Sequence, residues 1–140
     1  MNHSRPGTLV DLLKGAAGAR RDEEVIRYKQ DKQWAGLSGQ QLLDRVRHVA
    51  LGLYDFGIRK GDRVAILAES GPLWSISDYA ILSNGAVNVP IYPTQPPHQV
   101  EYILQESQPK LLFVSTARQM KRVEAVIKRF PDLRVRHPLR

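Results

Sequence analysis

Three short apolar runs set the strongest limit on how this chain can fold. They are Arg63-Val64-Ala65-Ile66-Leu67-Ala68, Ala86-Val87-Asn88-Val89-Pro90-Ile91-Tyr92 and Leu111-Leu112-Phe113-Val114, beginning about every 24 residues with helix-length segments between them. A strand that is apolar throughout, without alternation, suits a position covered on both faces, as in parallel sheets. Right-handed crossovers would lay the three strands parallel. The spacing is the ordinary βα period and is not read as an internal repeat. The intervening helices have recognisable signals. Ser70 and Pro72 open a helix to about Asn84 that is apolar nearly all round (Leu73, Trp74, Ile76, Tyr79, Ala80, Ile81, Leu82), as a helix buried on most sides would be. Pro93, Pro96 and Pro97 stiffen a loop before a helix over His98 to Glu106. Ser115 or Thr116 caps a last helix with a Met120, Val123, Ile127 and Phe130 stripe. Pro90 lacks a ladder donor, so strand pairing is expected to stop or bulge there. Leu133-Arg134-Val135-Arg136 alternates as a fourth strand would.

Upstream, Thr8 is placed to cap a helix reaching Ala17 and ending at Gly18. Glu24 to Lys29 and Gln33 to Leu37 flank a polar turn and predict a β-hairpin, with Trp34 packing beside the turn. Ser38 and Gln41 have the spacing of a capping box. Leu42, Val46, Val49, Ala50 and Leu53 then recur at helical spacing, with Gly57 where a left-handed cap is wanted. The fold class is therefore α/β: a partial βαβαβα parallel sheet preceded by a helix, a β-hairpin and a helix.

Composition matters mainly for what it excludes. With no cysteine among 140 residues, disulfide frameworks, thiolate zinc sites and cysteine nucleophiles are ruled out. His3, His48, His98 and His137 are too scattered for metal-ligand spacing. The stretch from Leu73 to Pro90 is too broken by polar residues to span a membrane. Asp11 interrupts the apolar run after the first residues, which makes a poor signal peptide. A cytoplasmic address is expected. The net charge of +7 is concentrated at one end. Arg118, Lys121, Arg122, Lys128, Arg129, Arg134, Arg136 and Arg140 face only Glu124 and Asp132, giving that stretch +6 and the rest +1.

No catalytic, cofactor-binding or metal-binding residue can be assigned. The first strand-to-helix turn, Ala68-Glu69-Ser70-Gly71-Pro72, has one glycine and a proline without an N–H, and matches neither a dinucleotide nor a P-loop pattern. Gly57-Ile58-Arg59-Lys60-Gly61 precedes a strand, whereas a phosphate loop follows one. No serine lies in a nucleophile elbow. Asp62, Glu69, Asp78, Glu101 and Glu106 sit on separate elements and read as surface charge.

Taken as ordered strings, several blocks carry a resemblance. They are Gly57-Ile58-Arg59-Lys60-Gly61-Asp62-Arg63-Val64-Ala65-Ile66-Leu67, Pro72-Leu73-Trp74, Leu82 through Pro93, and Tyr102-Ile103-Leu104 before Leu112-Phe113-Val114. From about Thr8 to Phe130 the chain resembles the N-terminal part of AMP-forming acyl-CoA synthetases of the adenylate-forming superfamily. The wording from Val89 to Thr94 is most similar to the long-chain fatty acid CoA ligases. The resemblance implies an incomplete N-terminal domain of that fold over residues 1–140. The family joins a carboxylate to CoA through an acyl-adenylate made from Mg-ATP. Its phosphate loop, aromatic-Gly-x-Thr-Glu segment, ribose-binding Asp and C-terminal lysine have no counterpart here, so ATP, Mg and CoA are implied for the full-length family and no cofactor for this chain. The chain departs from the family at Ser70-Gly71-Pro72, where Asn is common, and in residues 131–140, expected to be an aberrant or disordered tail.

The resulting expectation is the N-terminal portion of a fatty acid CoA ligase, inactive alone, whose partners by resemblance are fatty acid, ATP and CoA. A further chain could supply the missing remainder, and a location peripheral to the membrane stays open. Without that remainder to cover the sheet, the isolated chain is expected to be poorly soluble or loosely packed. The alternative is a non-catalytic interaction module whose basic C-terminal segment contacts anionic lipid or nucleic acid, although no reader motif for nucleic acid accompanies it.

Overall fold

A computed structural model describes residues 7–137. The elements follow in the order α1 (Leu9–Ala19), β1 (Glu24–Gln30), β2 (Gln33–Ser38), α2 (Gly39–Asp55), β3 (Arg63–Leu67), α3 (Pro72–Ser83), β4 (Val87–Ile91), α4 (Pro97–Ser107), β5 (Leu111–Val114), α5 (Ala117–Ile127) and β6 (Arg134–Arg136). This is the α/β arrangement expected. The first six residues, including His3 and the start of the stretch weighed as a signal peptide, lie outside the described residues; the apolar run that Asp11 interrupts belongs to α1.

β1 and β2 form an antiparallel hairpin, and the main sheet has the order β4-β3-β5-β6 with every pairing parallel. The apolar strands behave as their composition requires. Val64 and Ile66 of β3 with Leu111 and Phe113 of β5 face a core shared with α1, α2 and α3. The alternate residues Ala65, Leu67, Leu112 and Val114 face a second core with Val100 and Leu104 of α4 and Val123 and Val126 of α5. All of these strand side chains are buried. Each fully buried Leu, Ile or Val contributes roughly 1.5–3 kcal/mol through removal from water. Both faces of the sheet are thus covered by the chain's own helices. This corrects the premise that the cover must come from absent sequence.

Local signals explain most element ends. Thr8 Oγ1 accepts the Asp11 N–H at 3.1 Å to cap α1. Ser38 and Gln41 complete the capping box of α2, at 3.2 Å for Gln41 N–H to Ser38 Oγ and 2.9 Å for Ser38 N–H to Gln41 Oε1. At its other end Gly57 adopts φ 84°, and Ile58 N–H reaches Leu53 O at 3.0 Å, closing a Schellman turn. Thr116, not Ser115, caps α5. From Pro72 to Leu82 no residue of α3 is exposed, in keeping with its all-round apolar sequence.

Four expectations need correction. Gly18 lies inside α1, which runs on to Ala19. The cap of α3 is Gly71, with no side-chain hydrogen bond, and Ser70 is exposed. Trp34 is 66% exposed and does not pack into the core; its ring instead meets Lys29 Nζ at 5.2 Å. Pro90 neither stops nor bulges the ladder, because Ile66 pairs with Pro90 and Leu67 with Ile91 in continuous register. β4 is an edge strand, and Val87 N–H donates to Asp62 O at 2.7 Å, so the even-numbered amide positions face the open edge. A proline there costs no ladder bond.

The fourth strand suggested by Leu133–Arg136 is present as β6 beside β5. Within residues 131–140, expected to be an aberrant or disordered tail, Arg134–Arg136 form this strand, while residues 138–140 lie outside the described residues.

Candidate functional site

The chain moves from β3 outward to β4, then crosses back over β3 to β5 and on to β6. Neighbouring strands β3 and β5 therefore send their following helices to opposite faces, which makes the crevice beyond their carboxyl ends a topological switch point. In open α/β sheets this is where ligands bind, so it is the place to look for a site.

A polar network lies at that crevice, running from the exposed Glu69 to the buried Gln119. Glu69 follows β3, Ser115 follows β5, and Gln119 is a buried residue in the first turn of α5. The Ser115 hydroxyl and Gln119 Nε2 both donate to the Glu69 carboxylate, the latter at 2.8 Å. Arg122 Nη1 donates to Gln119 Oε1 at 2.7 Å and also to Pro93 O, while its Nη2 reaches Gln95 O at 2.6 Å. One arginine thereby anchors the proline-rich loop after β4 to the mouths of β3 and β5. Burial alone would raise the Glu69 pKa. The hydrogen bonds from Ser115 and Gln119, its own backbone and the charge of Arg118 outweigh burial and hold it below the ordinary carboxylate value. The group is an anion already supplied with donors, and its arrangement is that of a structural clamp.

The other acids singled out from the sequence are not brought together. Asp62 Oδ1 pairs with Lys110 Nζ at 2.8 Å and its Oδ2 accepts Arg59 N–H at 2.8 Å; the hydrogen bond from Lys110 is the main reason its pKa is lowered. Asp78 Oδ1 accepts Asn88 Nδ2 at 2.8 Å, and Glu101 pairs with Arg129 at 2.5 Å. Among the described residues no three histidine, aspartate or glutamate side chains gather as a metal site.

The residues present do not fit a nucleotide and its metal. In the Gly57–Gly61 turn, the N–H groups of Arg59, Gly61 and Asp62 are spent on Asp62 Oδ2, Gly85 O and Arg59 O. At the start of α3, Pro72 removes a donor. No step involving ATP, Mg or CoA is therefore assigned to these side chains.

Most cations of the basic segment are held internally. Arg122 is bound as described, Lys128 pairs with Glu124 at 3.2 Å, and Arg129 pairs with Glu101. Arg134 donates to Phe56 O at 2.8 Å, and Arg136 lies over the Phe56 ring at 4.8 Å. The C-terminal charge therefore stabilises the fold locally more than it presents a face to a polyanion. No helix among the described residues is long and apolar enough to cross a membrane.

The fold and crevice define a class: an open parallel α/β sheet built like the N-terminal part of adenylate-forming enzymes, with its switch point closed by internal hydrogen bonds. Comparison with known proteins narrows this class. The AMP-binding enzyme family matches residues 13–138, and the chain belongs to that family. The match extends into the arginine-rich tail. The chain is 36% identical over 117 residues to the long-chain-fatty-acid–CoA ligase FadD15 of Mycobacterium bovis, covering 82% of this chain and 20% of that protein. It is 30% identical over 133 residues to the long-chain-fatty-acid–CoA ligase heimdall of Drosophila melanogaster, covering 92% of this chain and 20% of that protein. It thus spans about a fifth of the length of these relatives. Among solved structures, the anthranilate CoA ligase AuaEII in complex with anthranoyl-AMP superposes with a TM-score of 0.80 at 24% identity, over 89% of this chain and 23% of that one. VinN superposes with a TM-score of 0.83 at 20% identity, over 94% and 33%. These two likenesses establish the fold.

Sequence reasoning missed the Glu69–Gln119–Arg122 network. Its members are 46 to 50 residues apart from Glu69 to Ser115 and Gln119, and no local pattern links them. The one available signal was a Gln and an Arg three residues apart at the start of a helix that follows a buried strand.

Proposed function

We propose that this chain forms the N-terminal α/β portion of an ATP-dependent, AMP-forming fatty acid CoA ligase, which converts a carboxylate, ATP and CoA to acyl-CoA, AMP and pyrophosphate. By itself it has no such activity. The observation that carries the reading is the family match over residues 13–138 together with 36% identity to a long-chain ligase across most of this chain. The crevice supports the second half: its buried amide, the Glu69 carboxylate and the Arg122 guanidinium are engaged within one network, which withdraws those side chains from contact with phosphates. In the complete enzyme the role of this portion is scaffolding. The clamp holds three strand mouths in register, and the remainder would bring ATP, Mg, CoA and the fatty acid. A chain supplying that remainder and a cytoplasmic address belong to the same proposal.

The test is a segment exchange. Residues 13–138 replace the matching segment of the full-length mycobacterial relative, and thioester formation from a long-chain acid is measured. The chimaera is expected to fold and retain activity. A folded chimaera that makes no thioester while its parent does would contradict the proposal.

A further inference from the structure

A groove of about 710 Å³ lies away from the crevice, between α1, α2 and the end of α3. Its volume falls within the roughly 300–1,000 Å³ of small-molecule sites. The floor is apolar, formed by Val10, Leu13, Leu43, Val46 and Ala50. Leu51 and Tyr54 on the wall are 55% and 54% exposed, a large apolar area for positions on a packed helix.

The groove changes character along its length, from charged at one end to largely apolar at the other. At the start of α2 it is lined by Arg21, Gln40 and Asp44, and these are linked: Arg21 Nε donates to Gln40 Oε1 at 2.9 Å, and Gln40 Nε2 donates to Asp44 Oδ1 at 2.8 Å. Lys14 and Arg47 follow. Neither makes an ion pair or hydrogen bond among the described residues, although most cations of the basic C-terminal segment do. Beyond Arg47 the wall becomes apolar through Ala50, Leu51 and Tyr54, a run of about 10 Å at 1.5 Å per residue. The Tyr54 ring is held by Arg59, whose guanidinium carbon stacks at 3.7 Å and whose Nη1 is committed to Tyr54 O at 2.6 Å. Ser83 and Asn84 also line this end, but their donors are spent on Tyr79 O and on Ala50 O and Ala80 O, so two uncommitted cations followed by a largely apolar trough match a ligand with an anionic head and a single hydrocarbon tail. A wide, flat surface would be needed for a bilayer, and a bounded trough favours a monomeric ligand.

We propose that the α1–α2 groove binds a single-chain anionic amphiphile, with its head at Lys14 and Arg47 and its tail along Ala50, Leu51 and Tyr54. This site is separate from the switch-point crevice and does not rest on the ligase reading. The test uses the isotope-labelled full chain, titrated with laurate below its critical micelle concentration and followed by amide NMR. Saturable shifts are expected at Val10 to Gly18 and Leu43 to Tyr54. Dodecyltrimethylammonium, with the same tail and opposite charge, is expected to give none. Lys14→Glu with Arg47→Glu should weaken laurate binding about tenfold or more, equivalent to about 1.4 kcal/mol. Leu51→Asp should abolish it with the remaining spectrum unchanged. Absent shifts, equal binding of the cationic amphiphile, or undiminished binding by the folded charge-reversal variant would overturn the proposal. So would capture by anionic phosphatidylglycerol vesicles without any response to monomeric laurate.

Discussion

Lys32 shows how a single residue can carry strain. The β1–β2 turn places Asp31 at φ 50° and Lys32 at φ 66°, the left-handed pair required by a two-residue type I′ turn. Asp tolerates this region and glycine favours it, whereas a long side chain costs about 1 kcal/mol there. Lys32→Gly is therefore expected to stabilise the chain by up to about 1 kcal/mol, read as a raised urea midpoint. An unchanged or lowered midpoint would contradict the turn geometry. Two carboxylates contribute to the acid limb of stability. Asp62 and Glu69 both have folded pKa values below their ordinary values of 3.8 and 4.5. A depressed carboxylate contributes stability that is complete above its unfolded pKa and lost as pH falls through its folded pKa. The difference in melting temperature between the native chain and Asp62→Asn should therefore be full at pH 6 and shrink below 3.8; for Glu69→Gln the shrinkage should begin below 4.5. Thermal melts from pH 6 to pH 2.5 check both, and a difference independent of pH would count against the hydrogen-bonded anions.

At the scale of elements, the junction of α1 and α2 depends on one glycine. A Cβ on Gly39 would overlap the carbonyl oxygens of Ala17 and Arg20, both backbone atoms. Gly39 and Gln40 donate their N–H groups to Glu23 O at 3.1 Å and Arg21 O at 2.9 Å, so this backbone cannot retreat cheaply. Gly39→Ala is expected to cost about 2 kcal/mol as overpacking, measured by urea unfolding. Gly52→Ala, where a Cβ meets nothing within 4 Å, is the control and should be neutral or stabilising. The same junction illustrates what the sequence reveals and what it conceals. Ser38 and Gln41 announce the start of α2 because their bonds are local, and the unbroken apolar runs of β3 and β5 announce two covered faces. Trp34, Ser70 and Pro90 were misread because their environments depend on which neighbour lies beside them: an open hairpin face, a glycine already serving as cap, and an unpaired sheet edge. The crevice was illegible for the same reason. The partners of Glu69 come from β5 and α5, and only the crossover that returns the chain over β3 brings them to it.

At the scale of the molecule, the two cores on either side of one sheet make the described residues mutually dependent. Val64 and Ala65 are adjacent in β3 yet belong to opposite cores, so neither layer can be lost without exposing the other. Both sheet edges are poor templates for pairing: Pro90 lacks a donor on β4, and β6 carries the exposed Arg134 and Arg136. A single cooperative thermal transition is expected for the isolated chain, with coincident far- and near-ultraviolet circular dichroism. A broad, non-coincident melt would restore the earlier expectation of a loosely packed state. A folded body with a self-satisfied switch point is the central claim, and it is tested most directly by incubating the purified chain with palmitate, Mg-ATP and CoA and measuring AMP and palmitoyl-CoA. The account predicts neither product above a blank without protein. Palmitate-dependent formation of both would contradict it and would mean that the crevice binds and activates substrate.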